Sequence, residues 1–193
     1  MPKHVALAGS VLYVADQTGR RVRQIDVSSR LVTTAAGSGT AGFADGGSDV
    51  AQFYKPTGIA ATPNNMLVLI TDTHFHRVRQ FLPTALYPFP PSTPPLPSAP
   101  PSMPPLPPSP PPAPPGAFVS TLAGKAFGDT DATGTSAKFY NPYGVAISPS
   151  GSFALVADYQ YSMIRHLDVD TGVVTTLAGE YNQAGTTDGV GSS

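Results

Sequence analysis

Three aspartates and three arginines recur at one spacing and are the first residues to weigh for chemistry. Asp16, Asp72 and Asp158 are each followed seven residues later by Arg23, Arg79 and Arg165. A carboxylate beside a guanidinium can position a substrate or tune a proton-transferring acid. A reactive carboxylate is ordinarily singular, whereas these stand at equivalent places along the chain. Their periodicity assigns them to structure, with Asp accepting turn N–H groups and Arg pairing locally or with the next unit.

Other chemical patterns are weaker. The four histidines are His4, His74, His76 and His166. His74 and His76 flank Phe75 in a turn, and with no third ligand placed beside them they read as a solvated pair rather than a metal site. Gly37-Ser-Gly39-Thr-Ala-Gly42 fits a dinucleotide-type glycine pattern, but no amphipathic helix follows, and the corresponding stretches GKAFGDT and GEYNQAGTT lack it. Asp129-Thr-Asp131-Ala-Thr-Gly134 imitates the start of a calcium loop, yet its twelfth position is Tyr140 instead of Glu. Asp45, Asp131 and Asp188 recur in register and read as turn caps. Without cysteine the chain has no disulfide, thiolate nucleophile or Cys-bound zinc. No Ser/His/Asp arrangement can be identified from the sequence, no N-x-S/T sequon is present, and neither cofactor nor metal is implied.

Charge excludes a further class of function. Charged residues are 12% of the chain, about half the usual share, and the net charge is −1. Arg20, Arg21 and Arg23 form a basic cluster too small, and too poor in aromatic neighbours, for nucleic-acid binding. No apolar run approaches the roughly 18 residues that a membrane helix needs.

The elements that position these residues are short strands. Residues 139–179, FYNPYGVAISPSGSFALVADYQYSMIRHLDVDTGVVTTLAG, hold four apolar runs separated by Pro149-Ser-Gly151, the Gln160 region and Asp170-Thr-Gly172. Those clusters tolerate the dihedrals that reverse a chain, so the stretch reads as one antiparallel meander. The order recurs at 57–81 and 4–37. From Asp16 to Gly37 is 21 residues and from Asp158 to Gly179 is 21 again, while from Asp72 to Gly124 is 52, an insertion of 31. The connecting stretches repeat as well: Asp45 precedes Phe53 by eight residues, as Asp131 precedes Phe139, and these continue as FYKPTG and FYNPYG. Three copies of such a unit predict a propeller, each sheet too small to bury its own faces. Phe53 and Phe139 are expected to plug the gaps between sheets.

The succession G-V-A, V-A-D, I-R-x-L-D, T-G-V-V-T-T-L-A-G and a D-G linker leading to F-x-x-P-x-G resembles the NHL-repeat β-propeller family. The resemblance covers the chain apart from the insertion. It implies an all-β fold of four-stranded antiparallel blades around a central channel, usually about six of them, with three present here. It implies no single activity: relatives serve as protein- or RNA-binding platforms and sensors, and neighbouring propeller families include metal-bearing lyases and lactonases. On this reading residues 3–56 are a first blade and linker, 57–142 a second interrupted by the insertion, 143–179 a third, and 180–193 an incomplete linker. The apolar N-terminal run VALAGSVLYVAD aligns with VAISPSGSFALVAD, so it reads as two strands rather than a secretory leader.

The insertion, 83–115, contains 18 prolines. Proline lacks an N–H and fixes φ, so this segment is expected to leave the sheet and favour polyproline II. Its Ser-Pro and Pro-Pro units resemble those of hydroxyproline-rich cell-wall glycoproteins, which would make it a stiff extracellular projection. The other readings are a ligand for SH3- or WW-type domains, although no Arg or Lys flanks it, and a tolerated insertion without a partner. Three blades do not close a ring. The expectation is therefore a piece of a longer propeller acting as a non-catalytic protein-binding or matrix-binding scaffold, with two copies pairing into a six-bladed ring as the other route. The alternative is part of a lactonase- or lyase-type enzyme whose reactive groups lie in other blades.

Overall fold

A computed structural model of the chain describes residues 1–83 and 116–181. The expectations of a polyproline projection and of a lead into a further blade fall almost wholly outside the described residues.

Each copy folds as a meander because its apolar runs are short, rich in Val, Leu, Ile and Tyr, and ended by chain-reversing residues. In the first copy β1 (Pro2–Ala8), β2 (Val11–Asp16), β3 (Arg21–Asp26) and β4 (Val32–Ala36) pair in that order. The second copy has β5 (Gly46–Gly47), β6 (Pro56–Ala61), β7 (Val68–Asp72), β8 (Arg77–Leu82) and β9 (Phe118–Ala123), in the order β5-β9-β8-β7-β6. The third has β10 (Ala132–Thr133), β11 (Pro142–Ile147), β12 (Phe153–Asp158), β13 (Met163–Asp168) and β14 (Val173–Ala178), in the order β10-β14-β13-β12-β11. All neighbours are antiparallel, and Leu82 stands opposite Phe118 across the insertion.

One difference from the four-stranded expectation has a clear cause. In the second and third sheets the incoming linker adds a fifth, two-residue strand to the outermost one, pairing Gly46 with Val119 and Ala132 with Val174. It satisfies backbone groups that an open edge would leave unpaired.

The repeated glycines have a steric reason. The third strand of each sheet begins after a left-handed residue, Arg20 (φ 53°), His76 (φ 55°) or Ser162 (φ 56°). The fourth strand ends at Gly37, Gly124 or Gly179, with φ of 103°, 90° and 86°. A Cβ at Gly124 would run into the His76 carbonyl oxygen, and one at Gly179 into that of Ser162.

The sheets stack through two cores. Tyr13, Val22, Phe53, Ile59, Ile70 and Phe81 fill the first, between sheets one and two. Leu69, Val78, Phe139, Val145, Val156 and Leu167 fill the second, between sheets two and three. Phe53 and Phe139 are fully buried in these seams. The inner strands lie side by side: His4 Nδ1 is 2.9 Å from the Ile59 carbonyl oxygen, and Thr71 Oγ1 donates to that of Tyr143 at 2.7 Å. The protein is all-β, its sheets are blades of a β-propeller, and the ring is open.

The turns between second and third strands and the inter-blade linkers share one end of the blades. The β8–β9 connection, which carries the insertion, leaves from the opposite end.

Candidate functional site

The recurring charged residues lie in the seams. Asp72 is fully buried and accepts the Lys55 N–H at 2.8 Å and the Tyr54 N–H at 3.1 Å. Arg79, also buried, lies over the Phe53 ring at 5.2 Å. It donates to Asp45 at 2.6 Å and to the carbonyl oxygens of Gln52 and Ala44 at 3.0 and 2.9 Å. The next seam repeats this. Asp158 accepts the Tyr140 N–H at 2.8 Å, while Arg165 donates to Asp131 at 2.5 Å, to the Lys138 carbonyl at 2.9 Å and to Asp158 at 3.4 Å. Each guanidinium thus fastens a linker onto the blade that follows it.

Asp45 and Asp131 are therefore counter-ions of Arg79 and Arg165, not the turn caps expected of them. Each stands 34 residues before its arginine, a shared interval that could have announced the pairing. The first blade differs: Arg23 donates to Thr34 Oγ1 at 2.9 Å, and the partly exposed Asp16 accepts the Gly19 N–H at 3.1 Å.

One guanidinium between two carboxylates separates their acidities. Partial burial opposes ionisation of Asp131, but the Thr176 N–H and Arg165 outweigh it and hold this carboxyl below the usual range. Burial pushes Asp158 up to about 6, over the opposing effects of the Tyr140 N–H and Arg165. Burial raises Asp72 as well. A carboxyl near 6 suits a general acid, but Asp158 has no exposed surface on which a substrate could reach it. Its raised pKa is a consequence of packing.

The exposed chemistry is aromatic and sits at the linker end of the blades. At the first seam Tyr54 stacks on His74 with centroids 4.4 Å apart, Phe75 meets Tyr54 edge-on at 5.4 Å, and Phe43 meets Phe75 at 5.0 Å. Arg77 covers the Phe43 ring at 4.3 Å. At the second seam Tyr140 lies 5.6 Å from His76, 5.9 Å from Phe127 and 5.3 Å from Tyr161, which meets Tyr181 at 4.8 Å. These rings and Gln160 line a cleft of about 440 Å³.

Local geometry puts them there. Tyr54 and Tyr140 follow the seam phenylalanines, while Phe75 and Tyr161 close 3-10 turns after Asp72 and Asp158. The left-handed backbone at His76 turns its ring from the first cluster to the second. His74 and His76 are thus not the solvated pair expected, but members of two clusters. Burial, with a smaller effect from His74, lowers the His76 pKa, and its Nδ1 accepts the Asn141 N–H at 3.2 Å, so the ring is neutral. Desolvation, followed by the nearby Asp129 carboxylate, raises the Tyr161 pKa and keeps its hydroxyl protonated. Sequence reasoning missed this face, although five of the eight tyrosines lie between Tyr140 and Tyr181. Among the described residues no three His, Cys, Asp or Glu side chains gather into a group able to hold a metal ion, and no helix is long and apolar enough to cross a membrane.

No family model matches the chain. A stretch of 68 residues is 35% identical to the Arabidopsis thaliana protein SUPPRESSOR OF QUENCHING 1, chloroplastic, covering 35% of the chain and 6% of that protein. Over 71 residues the chain is 31% identical to NHL repeat-containing protein 2 of Bos taurus, covering 36% of the chain and 10% of the relative. The matched stretches are thus a tenth or less of these relatives' lengths. Among solved structures, an auxiliary nutrient binding protein from Bacteroides ovatus superposes with a TM-score of 0.66 at 16% identity, covering all of this chain and 40% of the other. A nidogen/laminin complex gives a TM-score of 0.54 at 14% identity, covering 92% of this chain and 48% of the other. At such identities the structural likeness establishes the fold alone, that of a β-propeller.

Proposed function

We propose that the chain is a non-catalytic, NHL-type β-propeller module that binds another macromolecule through the aromatic face at its linker end. The observation that carries this reading is the placement of aromatic clusters at two successive seams on one face, where core packing does not require them. Surface aromatics bring large apolar area at small conformational cost, and their hydroxyl or imidazole groups fix orientation. The 31% match to an NHL repeat-containing protein supports the repeat type, and the nutrient-binding propeller offers an analogy for a binding role. The Ser-Pro and Pro-Pro units of the insertion favour an extracellular setting, which hydroxyproline analysis of the natural protein would check.

The reading is tested by NMR of the chain against neutral oligosaccharides, uncharged peptides and acidic peptides. Expected are ligand-induced shifts confined to the Tyr54, Tyr140, Tyr161 and Tyr181 rings and lost in Tyr161→Ala. Shifts confined to other surfaces would overturn the placement. One tightly held metal per chain in elemental analysis would overturn the non-catalytic assignment in favour of a lactonase- or lyase-type enzyme.

A further inference from the structure

Two of the three blades show what their third and fourth strands are shaped to hold. Arg79 stands opposite Thr121 in its sheet, and both bond Asp45, at 2.6 Å from Arg79 and 3.1 Å from Thr121 Oγ1. Arg165 stands opposite Thr176, and both bond Asp131, the Thr176 N–H and Oγ1 donating at 2.9 and 3.1 Å. The two residues after each aspartate, Gly46–Gly47 or Ala132–Thr133, form the short strand that covers β9 or β14.

The first blade has the same receptor with no occupant among the described residues. Arg23 stands opposite Thr34, and the two bond each other at 2.9 Å where the other blades bond a linker carboxylate. No described strand covers β4. Val32 is 48% exposed, whereas its counterparts Val119 and Val174 are 0% and 1%. A guanidinium beside an uncovered strand edge suits an extended segment that carries one carboxylate followed by small residues.

The chain carries one more segment of that kind. Asp188-Gly189-Val190 repeats the order of Asp45-Gly46-Gly47 and Asp131-Ala132-Thr133. Asp188 follows Gly179 by nine residues, as Asp45 follows Gly37 by eight and Asp131 follows Gly124 by seven. Three receptors and three such segments are therefore present, and the described fold joins two pairs of them. Arg23 and Asp188 are left over.

We propose that Asp188 docks on Arg23 and Thr34 of a second copy of the chain, with the residues after it adding a strand to β4. Reach excludes the same copy. Val22 packs into the seam with the second blade, so Arg23, beside it on the strand, faces away from the other two blades. From Tyr181 to Asp188 is seven residues, at most roughly 24 Å when fully extended. The way to the chain's own Arg23 passes three sheets stacked about 10 Å apart, which puts roughly 30 Å between the outer faces. The first blade of a second copy can instead lie directly against the third. When two copies dock reciprocally, each gives one Asp188 and receives one, and no receptor is left open.

The test is the solution mass of the full chain by light scattering across a concentration series. Expected is a mass that climbs from 19.9 kDa toward twice that value. Asp188→Asn changes no residue of the described fold and should raise the concentration of half-association about tenfold. Exchange of charge gives the sharper arm. Arg23→Glu and Asp188→Arg each set like charges against one another at the contact, so each alone should stay single. Mixed in equal amounts they should pair, because both contacts between the two variants then join opposite charges. Circular dichroism matching wild type shows that each variant is folded. A wild-type chain that stays single at every concentration overturns the inference, as does a mixture of the folded variants that associates no better than either alone. Association that Asp188→Asn leaves unchanged overturns it too, and assigns pairing to apolar contacts.

Discussion

At the scale of single residues, the repeated carboxylates are distinguished by what their burial does to a proton. Asp158 has an ordinary pKa of 3.8 and a folded value of about 6, so the fold favours its protonated form. Its contribution to stability is complete below about pH 4 and is lost as pH rises through 6. Asp131, with its pKa lowered, acts oppositely: its contribution is present above its ordinary value and lost on acidification. Asp158→Asn removes the first titration and leaves the second in place. In urea unfolding at a series of pH values, wild type should therefore lose ground to Asp158→Asn between pH 4 and 6, by on the order of 2 kcal/mol. A relative gain over that window would mean that Asp158 is a stabilising charge in the folded state. The Asp and Arg positions were legible in the sequence because they repeat. The partners of Arg79 and Arg165 were not, because Asp45 and Asp131 lie 34 residues upstream in linkers and meet their arginines only once the blade is formed.

Among the elements, the seam between blades is where local conformation and long-range packing have to agree. Gly124 combines φ of 90° with the His76 carbonyl oxygen standing where a Cβ would have to go, whereas Gly134, at φ of 57°, has nothing nearer a Cβ than the Leu122 carbonyl at 3.9 Å. Gly124→Ala should cost about 1–3 kcal/mol and Gly134→Ala clearly less, because only the first adds a collision to the dihedral penalty. Thermal unfolding of the pair checks the order, and equal losses would show that the collision relaxes away. The meander itself was readable from turn residues and alternating runs. The extra strands β5 and β10 were not, since two-residue pairings such as Gly46–Gly47 with β9 carry no hydrophobic period. The aromatic face escaped for a related reason. Its rings sit in turns and linkers, where neither a period of two nor a core pattern marks them.

For the whole molecule, an open ring leaves apolar surface on its outer blades, including Leu31 and Val32 on the first and Ile164 and Leu177 on the third. These are the faces through which two copies would pair to close a six-bladed ring. Ile164→Lys places a charge on an outer face and spares the cleft. If two copies pair in this way, light scattering should find Ile164→Lys single at concentrations where wild type is paired, and pairing undiminished in the variant would rule ring closure out.

The buried Asp and Arg residues of the second and third blades fasten the incoming linkers to those blades, whereas the exposed aromatic rings carry no such load. Equilibrium urea unfolding of Arg165→Met beside Tyr161→Ala tests this division most directly. Arg165→Met strands the buried Asp158 and the Lys138 carbonyl and should cost about 3 kcal/mol or more. Tyr161→Ala removes a half-exposed ring and should stay within about 1 kcal/mol of wild type. The opposite order, with Arg165 dispensable and Tyr161 essential to folding, would contradict that division of labour.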